Sequence, residues 1–128
     1  MRIEELSVGD WVFIDNTRDK SIGKIARIHY DSALVDCGEG HYLGGYISQI
    51  EPIPLTPEIL EKNGFEELKD KSWVGHNYHC HIQQHGSSWT LLSNKRGFYR
   101  TIRFENLAFV HELQNALRLA DVEKEIEV

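Results

Sequence analysis

The sequence predicts an α+β protein, and three observations carry that prediction. Short runs rich in β-formers recur at close spacing, separated by Gly, Asn and Ser turns. One stretch, from about Asn106 to Ala120, places Leu107, Val110, Leu113, Leu117 and Ala120 at helical spacing. Finally, 128 residues at 41% hydrophobic and 27% charged suit one modest core and leave no room for a separate cofactor domain. The expected architecture is a β-rich half over residues 1–55, a linking helix over 56–64, and a β-meander covered by one helix over 65–128. These parts are expected to form one compact domain.

Ser7-Val8-Gly9-Asp10 opens a turn, and Trp11-Val12-Phe13-Ile14 follows as a short strand. Residues 15–19 read as a polar loop. Ile22 to Tyr30 alternates apolar and polar residues, with Ile22, Ala26 and Ile28 taken as one set and Gly23 as the site of a bulge. Leu34-Val35 is a third strand. Cys37-Gly38-Glu39-Gly40 turns the chain into Tyr42-Leu43, and Gly44-Gly45 is expected to use positive φ before Tyr46-Ile47. Thr56-Pro57-Glu58 starts a helix with an N-cap, a first-turn proline and a first-turn acid, and Asn63-Gly64 stops it with Gly64 left-handed. Strands follow at roughly 73–76, 78–85, 88–93 and 98–104. The long helix then starts with Asn106 as N-cap, and Glu125–Val128 alternates as a final edge strand.

The stretches Val8-Gly9-Asp10-Trp11-Val12 and Ile22-Gly23-Lys24-Ile25-Ala26-Arg27-Ile28 resemble the opening of an SH3-like barrel of the KOW and Tudor type. That resemblance implies a binding module and no particular activity. Thr56-Pro57-Glu58-Ile59-Leu60-Glu61-Lys62-Asn63-Gly64-Phe65 and Val110-His111-Glu112-Leu113-Gln114-Asn115 resemble a group of uncharacterised small proteins of gut-bacterial phages and mobile elements. This second resemblance spans most of the chain and brings no known chemistry. It implies an accessory role, such as binding a host protein or sequestering a host molecule.

The net charge of −6 argues against duplex nucleic acid as the main partner, since that affinity comes from neutralising phosphates. Charge is nevertheless uneven: Lys95, Arg96, Arg100 and Arg103 stand within 95–104 with no acid among them. The island interleaves bases with aromatics. Its arginines offer forked donors to phosphate oxygens, while Tyr99 and nearby Trp89 offer faces for stacking. On a strand, Phe98, Arg100, Ile102 and Phe104 share the face that looks core-directed. The ordinary reading is a hairpin whose cations offset the acidic remainder. A second strip, His111, Asn115 and Arg118, lies at i, i+4 and i+7 of the long helix, either as a solvated face or as a polar contact strip.

His76, His79, Cys80, His81 and His85 crowd ten residues, and His79, His81 and His85 share one strand face. They are candidate zinc ligands, against the plainer reading of a His-rich hairpin without the paired elements of structural zinc. His111-Glu112 does not begin a zincin motif, because position 115 is Asn. No nucleophile elbow, P-loop or dinucleotide fingerprint is present, Asp10, Asp15, Asp31 and Asp36 are scattered, and no catalytic residue is expected. Cys80 between two histidines reads as a buried structural thiol. Two cysteines, a charged N-terminus and no apolar run near the ~18 residues of a membrane span point to a cytoplasmic protein with free thiols and no membrane partner.

Stoichiometric binding without turnover is therefore expected, with a host protein as partner and the 95–103 island and 111–118 strip as contact surface. Two alternatives stand beside it: a protein sequestering an anionic nucleotide-like ligand at Lys95, Arg96, Tyr99, Arg100 and Arg103, and an interaction module stapled by zinc.

Overall fold

A computed structural model describes residues 5–16, 19–75, 79–93 and 102–128. It is an α+β structure built from two antiparallel sheets, in two compact units, Met1–Ile53 and Pro54–Val128. The helix expected as a link belongs to the second unit.

In the first unit, β1 (Trp11–Asn16), β2 (Asp19–Ile28), β3 (Ser32–Asp36), β4 (Tyr42–Tyr46) and β5 (Ile50–Pro52) form a sheet in the order β4-β3-β2-β1-β5. A 3₁₀ turn over Ile47–Gln49 leads from β4 into β5. The alternation in β1 sends Val12 and Ile14 inward, to meet Leu6, Ile25, Ala33, Val35 and Ile50 in a closed apolar core. The Ser7–Asp10 turn forms as its residues dictate. Gly9 takes φ 94°, the Gly9 N–H donates to Ile25 O at 2.7 Å, and the Asp10 carboxylate accepts from the Ser7 N–H at 2.8 Å.

Three expectations for this unit need correction. Asp15, Asn16 and Asp19, expected in a loop, belong to β1 and β2, with Asn16 paired to Asp19. The bulge falls at Ala26, where the register between β2 and β3 slips, and not at Gly23. Gly23 faces inward, where a Cβ would stand 2.5 Å from Asp36 O and 2.6 Å from Val35 Cγ1, so only glycine lets β3 approach this closely. Because the bulge lies three residues later, Gly23 and Ile25 share the core face and Ile22 is exposed. Gly44 and Gly45 sit within β4 and have no positive φ; the left-handed residues are Gly38, Glu39 and Gly40 in the preceding turn.

In the second unit, β6 (Glu66–Glu67), β7 (Trp73–Gly75), β8 (Cys80–His85), β9 (Ser88–Ser93) and β10 (Ile102–Leu107) form a meander in the order β10-β9-β8-β7-β6. Helix α1 (Pro57–Lys62) starts as its sequence dictates, with Thr56 Oγ1 accepting from the Ile59 N–H, and ends at Gly64 with φ 85°. Helix α2 (Val110–Leu119) starts four residues later than expected. Asn106 adopts φ 60° inside β10 and is not the cap. Glu112 instead folds back, its Oε1 accepting from the N–H groups of Ala108 and Phe109 at 2.9 and 3.1 Å.

The last residues join no ladder of the described strands, contrary to the expected edge strand. Two side-chain amides stand in for a neighbouring strand. Gln114 Oε1 accepts from the Ile126 N–H at 2.7 Å while its Nε2 donates to Lys124 O at 2.9 Å. Asn63 does the same for Glu127, accepting from its N–H and donating to its carbonyl, both at 2.7 Å. Ile126 is thereby held in the core at 1% exposure.

Replacing Gln114 by Leu keeps the bulk but orphans a buried N–H and a carbonyl. We expect a loss of about 1–3 kcal/mol in urea unfolding, with fast hydrogen exchange at the Ile126 amide.

Candidate functional site

Lys95, Arg96, Tyr99 and Arg100 lie outside the described residues. Arg103 is exposed on β10 and tied to Glu105 at 2.7 Å. Trp89 is 1% exposed, so its ring fills the core of the second unit and offers no stacking face. The helical strip is also corrected: His111 is buried and stacked on Phe109 with ring centroids 5.9 Å apart, because the buried stripe of α2 runs through 110, 113, 114 and 117 and takes 111 with it. Arg118 reaches Glu125 at 3.5 Å and Asn115 at 3.5 Å. Of the histidines, His81 and His85 are exposed on β8 and His79 precedes it at φ 53°. Among the described residues no three His, Cys, Asp or Glu side chains gather as a metal set.

The first unit instead builds a hollow of about 380 Å³ on the outer face of its sheet, across β2, β3 and β4. The register explains how. Ala33 and Val35 point to the core, so Ser32, Leu34 and Asp36 point outward, opposite Tyr46, Gly44 and Tyr42. On β2 the bulge at Ala26 resets the alternation, so Arg27 lies opposite Leu34 on the outer face and Ile28 opposite Ala33 on the core face. Without the extra residue Arg27 would be aimed into the core. Gln49 anchors the far wall, its Oε1 accepting from the Tyr46 N–H at 2.9 Å and its Nε2 donating to Asp15 O at 3.3 Å.

The two adjacent glycines have different reasons to be there. A Cβ on Gly45 would meet Ile14 Cδ1 at 3.0 Å, so that position is closed by packing. A Cβ on Gly44 would meet nothing within 4 Å, and its backbone is extended, so neither sterics nor conformation requires glycine. Gly44 is the floor of the hollow, with Tyr46, Arg27, His29 and Ser32 around it.

The rest of the outer face mixes aromatic and cationic side chains with the acids Asp36 and Glu51. Lys20 Nζ sits 4.6 Å from the Phe13 ring centroid and Lys24 Nζ 5.0 Å from that of Trp11, while Tyr42 and Tyr46 are exposed. Lys20 also pairs with Glu51 at 2.8 Å. Arg27 has no ion-pair partner among the described residues. The sequence signal for this site was the alternation in Tyr42-Leu43-Gly44-Gly45-Tyr46, which puts two tyrosines and one glycine on one face of a strand. A second hollow, of about 400 Å³, lies in the C-terminal unit over Phe65 and Trp73 and is rimmed by Glu61, Glu66 and Glu67.

The thiols stand apart from these hollows. Burial pushes Cys80 up to about 11, and burial followed by the neighbouring Asp36 charge raises Cys37. No protein-family model, curated protein or solved structure matches the chain. No helix among the described residues is long and apolar enough to cross a membrane.

Gly44→Ala is expected to raise stability by about 0.5–1 kcal/mol, since a strand gains a side chain in open space. Gly23→Ala should lower it by about 1–3 kcal/mol through overpacking against backbone. Paired thermal melts check both signs. Cys80 should resist alkylation in the native protein at pH 8. Its folded value lies above the ordinary 9.0, so its contribution to stability is complete below pH 9 and is lost as pH rises toward 11. Unfolding midpoints measured across that window test this.

Proposed function

We propose that this chain is a non-catalytic binding protein, a phage or mobile-element accessory factor that acts in the cytoplasm by stoichiometric binding to a host protein, and that its docking surface is the outer face of the N-terminal sheet. The observation that carries the reading is Gly44. A glycine in the middle of an exposed strand lowers stability and serves no conformational need, so its benefit lies in the space it leaves. The surroundings support a protein partner, because Tyr, Trp and Arg are the residues that dominate protein–protein contacts. The strand order, with β5 returning beside β1, supports the SH3-like reading. A second reading, an anionic nucleotide-like ligand held in this hollow, is favoured by Arg27, which has no ion-pair partner among the described residues and lines the hollow together with Tyr46.

Gly44→Val puts its Cβ where no atom lies within 4 Å and occupies part of the hollow, so the fold is expected to survive. Quantitative capture from host lysate with the natural chain and with G44V tests the reading. The expected result is an equimolar protein retained by the natural chain and lost from a folded G44V. Equal retention by both would remove the outer face from consideration as the docking surface.

A further inference from the structure

We infer that the hollow over Gly44 receives an acidic side chain of the partner, with its carboxylate held by Arg27. The inference rests on the outer face being the docking surface, and adds the chemistry that this face selects. Of the cations on the face, Lys20 is matched by Glu51 and both lysines lie over aromatic rings, whereas Arg27 has no ion-pair partner among the described residues. It reaches the face only because a bulge at Ala26 turns it outward. A guanidinium fork fits the two oxygens of a carboxylate in parallel, and those charge-assisted bonds are the strong ones.

The neighbours complete a site for such a group. Ser32 brings a hydroxyl and His29 an imidazole to the same hollow. Gly44 provides a floor with no side chain, and the exposed Tyr46 ring gives the methylenes of a glutamate an apolar wall. Charge balance favours a carboxylate over a phosphate. Asp36 faces outward two positions along β3 from Leu34 and adds negative charge to this face, and Arg27 offers one guanidinium, so a dianion would meet more uncompensated repulsion there than a single carboxylate. The chain's net charge of −6 weighs the same way against a phosphate backbone.

Backbone amide NMR titrations of the full chain test this with three probes: acetyl-Gly-Glu-Gly-amide, its Gln counterpart and adenosine monophosphate. The glutamate peptide should shift the amides of Arg27, Leu34, Gly44 and Tyr46 and bind at least about tenfold more tightly than the glutamine peptide, as loss of a charge-assisted pair requires. Arg27→Gln should bring the glutamate peptide to the glutamine level, and Gly44→Val should abolish the shifts. Equal binding of the two peptides, shifts elsewhere, or unchanged binding by R27Q would overturn the inference. Tighter binding of the nucleotide would overturn it in favour of a phosphate ligand. If the peptide fails while G44V still loses its captured protein, the carboxylate inference falls and the docking face stands. If G44V keeps that protein, the docking face itself falls.

Discussion

Every buried N–H and C=O of a folded chain needs a partner, and in this protein side chains supply that partner at several of the described ends of strands and helices. The Asp10 carboxylate closes the turn before β1, Thr56 Oγ1 caps α1, and Glu112 folds back over the start of α2. Gln49 fixes the end of β4. Gln114 and Asn63 then bind the final extended segment as a neighbouring strand would. The elements are short, so such ends are numerous, and the polar residues at these joints are part of the framework.

The same economy of register builds the candidate site. One inserted residue at Ala26 exchanges the faces of Arg27 and Ile28, putting a cation over the sheet and an apolar side chain beneath it. Two glycines in sequence then do opposite jobs, Gly45 admitting the Ile14 side chain below and Gly44 leaving a hollow above. The hollow is thus largely a product of strand register, with His29 and Gln49 added from the segments that follow β2 and β4.

The parts of the fold that were legible in the sequence are those fixed by local chemistry. Thr56-Pro57-Glu58 and Asn63-Gly64 set both ends of α1, and the spacing of Val110, Leu113 and Leu117 set the buried stripe of α2. What escaped depends on partners distant in sequence. Gly23 suggests a bulge by itself, but its inward position is decided by Val35 and Asp36 on the next strand. Asn106 is a good cap by residue type, yet Glu112 already satisfies the N–H groups at the helix start. His111 looks like part of a polar strip, but it is buried and stacked on Phe109. The alternation in Tyr42–Tyr46 marks the face that carries the hollow, but not the hollow itself, since an absent side chain becomes a feature only when the register around it is known.

The attachment of the final segment has a chemical consequence as well. Asn63 precedes Gly64, and Asn-Gly is the dipeptide in which the following backbone nitrogen most readily attacks the side-chain amide and expels ammonia. Here the Gly64 N–H is engaged with Glu61 O at 3.1 Å, and both ends of the Asn63 amide are held by Glu127. These bonds hold both reacting groups away from the attack, and where the imide does form, its opening by water would replace the amide that holds the last strand-like segment with a carboxylate that can only accept.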